Sequence, residues 1–289
     1  MIGPSALGWT DRQPERRLMP VSRFPSLLLA AGLLLSHGTM AMADDGYPAY
    51  GEAPKKQFVL ELGGGLIAKP KYPGASDYII SPFPIVSIGR FYLPGVGQVA
   101  DGEVVMRGFY FYPSFDFTGK RKASDSADLT GTNTVDWSVE LGLGVGYRYD
   151  WFRAFVEVRQ GFNGHSGQVA DFGADIIAQP FDRVEVAFGP RASWASNDYM
   201  DTYFGVTPAE SAAPGSILAA YNPGSGFKTV GLAAEATYAL TDSFDFHLRG
   251  SWDRFVGDAA KSPIVKAGSK DQFTIGAGLS YRLAFDLFE

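Results

Sequence analysis

The stretch Val135–Tyr149 reads VDWSVELGLGVGYRY, and every second residue along it is apolar. Val135, Trp137, Val139, Leu141, Leu143, Val145, Tyr147 and Tyr149 fall on one side. Asp136, Ser138, Glu140, Gly142, Gly144, Gly146 and Arg148 fall on the other. Successive side chains of a strand point to opposite faces, so a period of two predicts a strand with two unlike faces. Strands are usually about 5–6 residues long. A longer one suits a tilted bilayer crossing, which takes about 9–11 residues. Trp137 near one end and Tyr147 and Tyr149 at the other fit the aromatic belts of two membrane interfaces.

The pattern recurs. Phe244, Phe246, Leu248 and Trp252 alternate with Asp245, His247, Arg249 and Ser251. Phe273, Ile275, Ala277, Leu279, Tyr281 and Leu283 alternate with Gln272, Thr274, Gly276, Gly278, Ser280 and Arg282. Counted this way, strands run over 57–68, 78–90, 103–117, 135–149, 151–162, 167–179, 183–196, 227–240, 244–256 and 271–287. Residues 91–101 add a short extra strand, with which the count could reach twelve. Minimal connections at Asp150, Phe181-Asp182 and Thr241–Ser243 alternate with long polar ones at 69–77, 118–134, 198–226 and 257–270. Tight turns on one side and long loops on the other are the organisation of an outer-membrane barrel. The expected fold is all-β: an antiparallel transmembrane β-barrel of about ten strands with short periplasmic turns and longer outer loops.

The longest apolar run, SLLLAAGLLLSHGTMAMA at 26–43, is too short to span a bilayer. It follows Arg16, Arg17 and Arg23 and ends in Ala41-Met42-Ala43 before Asp44-Asp45. That order reads as a secretory signal peptide, of ordinary length if translation starts at Met19. The expected organisation is therefore a signal peptide over 1–43, a periplasmic N-terminal segment over 44–56 (DDGYPAYGEAPKK) and the barrel over 57–289. Cleavage removes Arg12, Arg16, Arg17 and Arg23 with Asp11 and Glu15, taking the formal charge from −6 to −8. An acidic exported chain is a poor nucleic-acid binder. The absence of cysteine rules out disulfides, thiolate metal sites and a cysteine nucleophile.

The polar faces carry charges of both signs, among them Glu140, Arg148, Arg153, Glu157, Arg159, Asp171, Arg183, Asp245 and Arg249. In a narrow barrel these are expected to pair across strands and fill the lumen. A selective pore would show one dominant sign at a constriction. Gly142, Gly144 and Gly146 are spaced by two on a strand, which suits crowding relief and not a phosphate loop opening onto a helix. His165 beside Ser166 reads as a short loop, and His247 between Asp245 and Arg249 as a lumen contact. No catalytic, cofactor-binding or metal-binding residue is expected.

Four segments go beyond pattern: KYPGASDYIISPFP at 71–84, YMDTYFGVTPAESA at 199–212, GDAAKSPIV at 257–265 and GLSYRL at 278–283. Together they resemble the MipA/OmpV family of Gram-negative outer-membrane proteins. The motif positions are Tyr203, Phe204, Gly205, Val206 and Pro208 in one outer loop and Gly257, Asp258, Ser262 and Pro263 in the last. This chain departs from the family pattern at Leu283, where an aromatic is usual, and in continuing to Glu289. The resemblance implies a non-enzymatic barrel in contact with outer-membrane lipid and lipopolysaccharide. It also implies a scaffold between a murein-cleaving lytic transglycosylase and a penicillin-binding protein; contacts to them would have to use the periplasmic turns, the periplasmic rim or segment 44–56, of which 44–56 is the best candidate. The alternatives are a small diffusion channel and a surface adhesin acting through loops 118–134 and 198–226.

Overall fold

The computed structural model describes residues 58–93, 97–101 and 108–287. The expected signal peptide and the segment 44–56 lie outside the described residues. The strands are β1 (Phe58–Pro70), β2 (Tyr78–Leu93), β3 (Gly97–Asp101), β4 (Gly108–Thr118), β5 (Ser138–Tyr149), β6 (Phe152–Asn163), β7 (Gln168–Phe181), β8 (Val184–Ala195), β9 (Gly226–Ala239), β10 (Phe244–Phe255) and β11 (Asp271–Phe285). They form one sheet in the order β3-β2-β1-β11-β10-β9-β8-β7-β6-β5-β4, curled as a barrel wall. All its pairings are antiparallel. The first and last strands meet in a continuous ladder from Phe58↔Phe285 to Ala68↔Ile275, which brings the two ends of the barrel sequence together.

The two end strands of this sheet, β3 and β4, run in the same direction, because an even number of antiparallel steps separates each from β1 or from the other. An antiparallel ring needs an even number of strands. The short β3, five residues long, therefore does not act as an eleventh full strand. Ten long strands make the wall, as the alternation predicts, and 91–101 contributes the end of β2 and the short β3.

The faces are reversed relative to a soluble protein. Leu141, Leu143 and Val145 of β5 are exposed, while Glu140 and Arg148 of the same strand are buried. The outward face meets hydrocarbon and the inward face is polar. No helix of the described residues is long and apolar enough to cross a membrane. On the tight side, Asp150 (φ 37°) and Arg183 (φ 67°) take left-handed backbone in the turns β5–β6 and β7–β8. Such turns match the twist of the strands they join.

Two sequence expectations need correction. The alternating run Val135–Tyr149 enters the wall only at Ser138. Val135 pairs instead with Arg121 in an isolated bridge, because the chain there is still part of an outer loop. Arg183 is not a lumen charge: it sits in a turn, and its guanidinium donates to the Leu240 carbonyl at 3.4 Å.

The glycines of β5 have a mechanical cause. Gly144 and Gly146 pair with Tyr112 and Tyr110 of β4. A Cβ at either position would run into the facing tyrosine ring. With no side chain there, each ring lies flat over its glycine, as in aromatic rescue of strand glycines. The Tyr112 hydroxyl then donates to Glu157 at 2.9 Å.

Candidate functional site

The apolar core of the described residues lies largely in the outer loops, beside the mouth of the barrel. Helix α1 (Asn197–Phe204) follows β8 and turns one face inward. Tyr199, Met200, Tyr203 and Phe204 are all buried on that face, against Val135, Val169, Phe255, Ala259 and Val265. The spacing i, i+1, i+4, i+5 is that of one helical stripe. The Phe204 ring meets Phe255 edge-on with centroids 5.3 Å apart.

The two family-like loop motifs interlock. Gly205 donates its amide to the Asp201 carbonyl and ends α1. Val206 forms a bridge with Tyr221. Helix α2 (Pro208–Ser211) opens on Pro208 and carries a capping box: Thr207 accepts from the Glu210 amide, and Glu210 accepts from the Thr207 amide. Glu210 also accepts from the Asn133 amide at 2.7 Å, tying α2 to the loop before β5. In the last outer loop, Gly257 has φ 55°. The Asp258 carboxylate accepts from the Gly224 amide at 3.0 Å and the Lys261 ammonium at 2.9 Å. Its carbonyl accepts from the Tyr221 hydroxyl at 2.9 Å. Ser262 is fully buried and donates to the Phe204 carbonyl at 2.7 Å. Pro263 starts α3 (Pro263–Ala267), capped by Ser262. The motif residues thus hold a cap together, with one another and with Arg121, Ser138, Tyr221, Gly224 and Phe255.

One residue of this cap was not legible as special. Arg121 in Lys120-Arg121-Lys122 looks like part of a solvated basic run, yet it is 4% exposed. Its guanidinium donates to the Tyr203 carbonyl at 2.8 Å and the Thr202 carbonyl at 3.2 Å, gripping the end of α1. Burial lowers its pKa from the usual arginine value, against the pull of Glu210.

Below the cap, the β4–β8 side of the lumen is filled by ion pairs. Arg159 donates to Glu140 at 3.1 Å, Glu157 at 2.7 Å and Ser114 at 3.1 Å, and also to Asp171. Arg153 and Arg191 share Asp175, at 2.5 Å and 2.7 Å. Arg148 lies 3.7 Å from Glu185. Pairing buried charges avoids the large cost of an isolated one. Arg249 and Asp245 also lie on inward-facing positions of β10, and Arg249 stacks over the Phe83 ring at 4.2 Å.

Both histidines tie separate parts of the structure together. His165 is buried, accepts from the Gly167 amide at 3.1 Å, and approaches Glu140 at 3.3 Å. Its ring meets Tyr199 and Tyr203 edge-on, so it joins the lumen network to the cap. Ser166 turns away toward Asp198. His247 faces both Glu61 (2.9 Å) and Ser280 (2.7 Å) through the same nitrogen, Nε2. Its Nδ1 meets the Thr237 hydroxyl at 3.2 Å, so wall residues of β1, β9 and β11 hold the ring from both sides. The geometry is that of a polar lumen contact. Among the described residues, no group of three or more candidate ligands is placed to hold a metal ion.

The family model described as MltA-interacting protein MipA matches residues 62–283. A 24 kDa outer membrane protein of Pasteurella multocida (strain Pm70) is 24% identical over 204 residues, covering 65% of this chain and 76% of that protein. The outer membrane protein Omp26La of Vibrio anguillarum is 33% identical over 189 residues, covering 62% and 66%. Among solved structures, Neisserial surface protein A covers 81% of this chain and 100% of its own at 10% identity, with a TM-score of 0.24. That superposition is too loose to bear on function.

Proposed function

The chain belongs to the MipA family of outer-membrane barrel proteins, and from that premise we propose that it is a non-enzymatic scaffold holding murein enzymes at the outer membrane. The observation that carries the reading is a capped barrel whose lumen is ion-paired along one side. Ion pairs occupy the β4–β8 side of the lumen, and α1 closes over the mouth. A barrel built this way is a rigid anchor, with its outward face in lipid and its outer rim beside lipopolysaccharide. The printed name of the family supports a lytic transglycosylase as one partner. A penicillin-binding protein as the second partner rests on the sequence resemblance alone.

The contact surface is assigned to the periplasmic side. Three of the turns there are short: Asp150-Trp151, Asp182-Arg183 and 240–243. Segment 44–56, released by cleavage after Ala43, supplies the additional reach. The test is in-cell crosslinking of the mature protein followed by affinity capture from native envelopes. Recovery of a lytic transglycosylase crosslinked within 44–56, and its loss on deleting that segment from a still-folded barrel, is the expected result. Unchanged capture after the deletion would overturn the assignment of 44–56. Recovery of the barrel alone would overturn the scaffold reading.

A further inference from the structure

A chamber of about 820 Å³ lies beneath the cap, on the side of the lumen away from the ion pairs. That volume is within the usual range for small-molecule sites, about 300–1,000 Å³. Its lining crosses the barrel wall. Ser81 and Phe83 of β2 lie opposite Ile67 and Gly65 of β1 and face the lumen, where Arg249 stacks over the Phe83 ring. Pro82 and Pro84 lie opposite Leu66 and Gly64 and face outward. All four residues line the chamber. On β4, Asp116 and Thr118 face the lumen while Phe115 and Phe117 face outward, and again all four line it. Successive residues of a strand point to opposite faces, so a closed wall shows its lumen only every second residue. A cavity that meets both faces of two strands passes between their edges.

The pairing agrees. Over Tyr78–Val86 the strand β2 pairs with β1, and β4 pairs with β5; among the described residues no ladder joins β2 to β4. Pro82, Pro84 and Pro113 lie on these two strands, and proline has no N–H to give a neighbour, so within sheets it belongs to edges and bulges. The gap is framed. Below it, β2 pairs with β3 from Arg90↔Asp101 to Leu93↔Gly97. Above it, the Lys71 ammonium donates to the Asp125 carbonyl at 2.7 Å, and Tyr72 and Leu129 share one apolar cluster. Tyr78 is the outer end of β2 and Thr118 the outer end of β4, so the gap sits in the outer half of the wall. Ile80 and Phe111 on the outward faces of the two strands are apolar and exposed, so lipid chains lie directly against it.

We propose that this gap is a lateral window, and that one acyl chain of an outer-leaflet lipid enters the chamber through it and rests against Ile79, Phe83 and Phe115. The chain arrives sideways from hydrocarbon, so neither the cap nor the ion pairs of the β4–β8 side need move. The site does not rest on the scaffold reading, because the window faces the outer leaflet and the murein contacts are assigned to the periplasmic side.

The experiment is photolabelling of the mature protein in phosphatidylcholine nanodiscs doped with a phosphatidylcholine that carries a diazirine at the end of one acyl chain. Peptide mass spectrometry maps the adducts. Adducts are expected at inward-facing Ile79 and Phe83 as well as at outward-facing Leu141 and Leu279, with none at Thr237, which faces the lumen away from the window. Ser81→Trp puts a large ring on the rim; it should abolish the adducts at Ile79 and Phe83 and leave those at Leu141 and Leu279. Gly119→Trp serves if Ser81→Trp disturbs folding, which heat-shifted gel mobility reports. Gly119 also lines the chamber, and a Cβ there meets no atom within 4 Å. Adducts confined to outward-facing residues, equal labelling of Phe83 and Thr237, or labelling of Phe83 unchanged in the folded variants would overturn the proposal.

Discussion

At the scale of single residues, the lumen works by mutual compensation, and each member's contribution appears only when it is removed. Arg159 serves Glu140, Glu157 and Asp171 at once. Arg159→Gln leaves three carboxylates facing one another with no cation between them. Removing one partner of a buried ion pair costs about 3–5 kcal/mol. Urea unfolding of the vesicle-inserted variant, followed by tryptophan fluorescence, should show a loss of that order; an unshifted midpoint would mean the carboxylates are hydrated and the lumen is open. Gly144 offers a second case. A Cβ there meets the Tyr112 ring, and overpacking of this kind costs about 1–3 kcal/mol. Gly144→Ala should be destabilising alone and nearly neutral in a Tyr112→Ala background. Equal costs in both backgrounds would show that the glycine answers to something other than the ring.

At the scale of elements, the cap is a small globular core attached to a membrane barrel. Its helix α1 contributes four buried side chains, three of them aromatic. Phe204→Ala should remove about 3–5 kcal/mol from the cap, by lost burial and the cavity left behind. Amide exchange in α1 should then rise by about a hundredfold or more, with the barrel strands unaffected. Exchange rising equally in the strands would show that cap and wall unfold as one unit. The cap also responds to acid. Burial would raise the Glu210 pKa, but hydrogen bonds from the Asn133 and Thr207 amides and the Thr207 hydroxyl outweigh it and hold the pKa below the usual value. A depressed carboxylate stabilises the fold above its unfolded pKa, and that stabilisation is lost as pH falls through the folded value. Exchange at Asn133 and Thr207 should therefore speed up on acidification below about pH 4, the usual glutamate range. Glu210→Gln should abolish that pH dependence; its persistence would place the titrating group elsewhere.

At the scale of the whole molecule, sequence alone shows the wall well and the cap poorly. A period of two survives in sequence because each strand residue answers only to the face it is on, so nine of the ten long strands fall within a few residues of where alternation puts them, while 103–107 of the tenth lie outside the described residues. The exceptions are places where a distant contact decides. Val135 to Trp137 keep the alternation and yet belong to a loop, because Val135 pairs with Arg121 across the mouth. The motif residues Tyr203, Phe204 and Ser262 were visible as unusual, but their burial depends on two loops far apart in sequence meeting, and no local pattern encodes that. Arg121 is the extreme case, a charge that is buried because α1 folds over it. The same long-range packing sets the behaviour of the assembled barrel in a membrane. Buried inward-facing charges extend from Arg148 near one end of β5 to Glu140 near the other. Ion pairs of both signs along the β4–β8 side, under a roof, offer a permeating ion no path of a single sign. The mature protein in planar bilayers should stay silent at voltages where porins of about 16–18 strands conduct. Deleting 198–212 should remove the roof without producing stepwise conductance, because the ion pairs below remain in place. Conductance appearing on that deletion would make the cap the closure of a channel, and conductance in the intact protein would displace the scaffold reading in favour of diffusion.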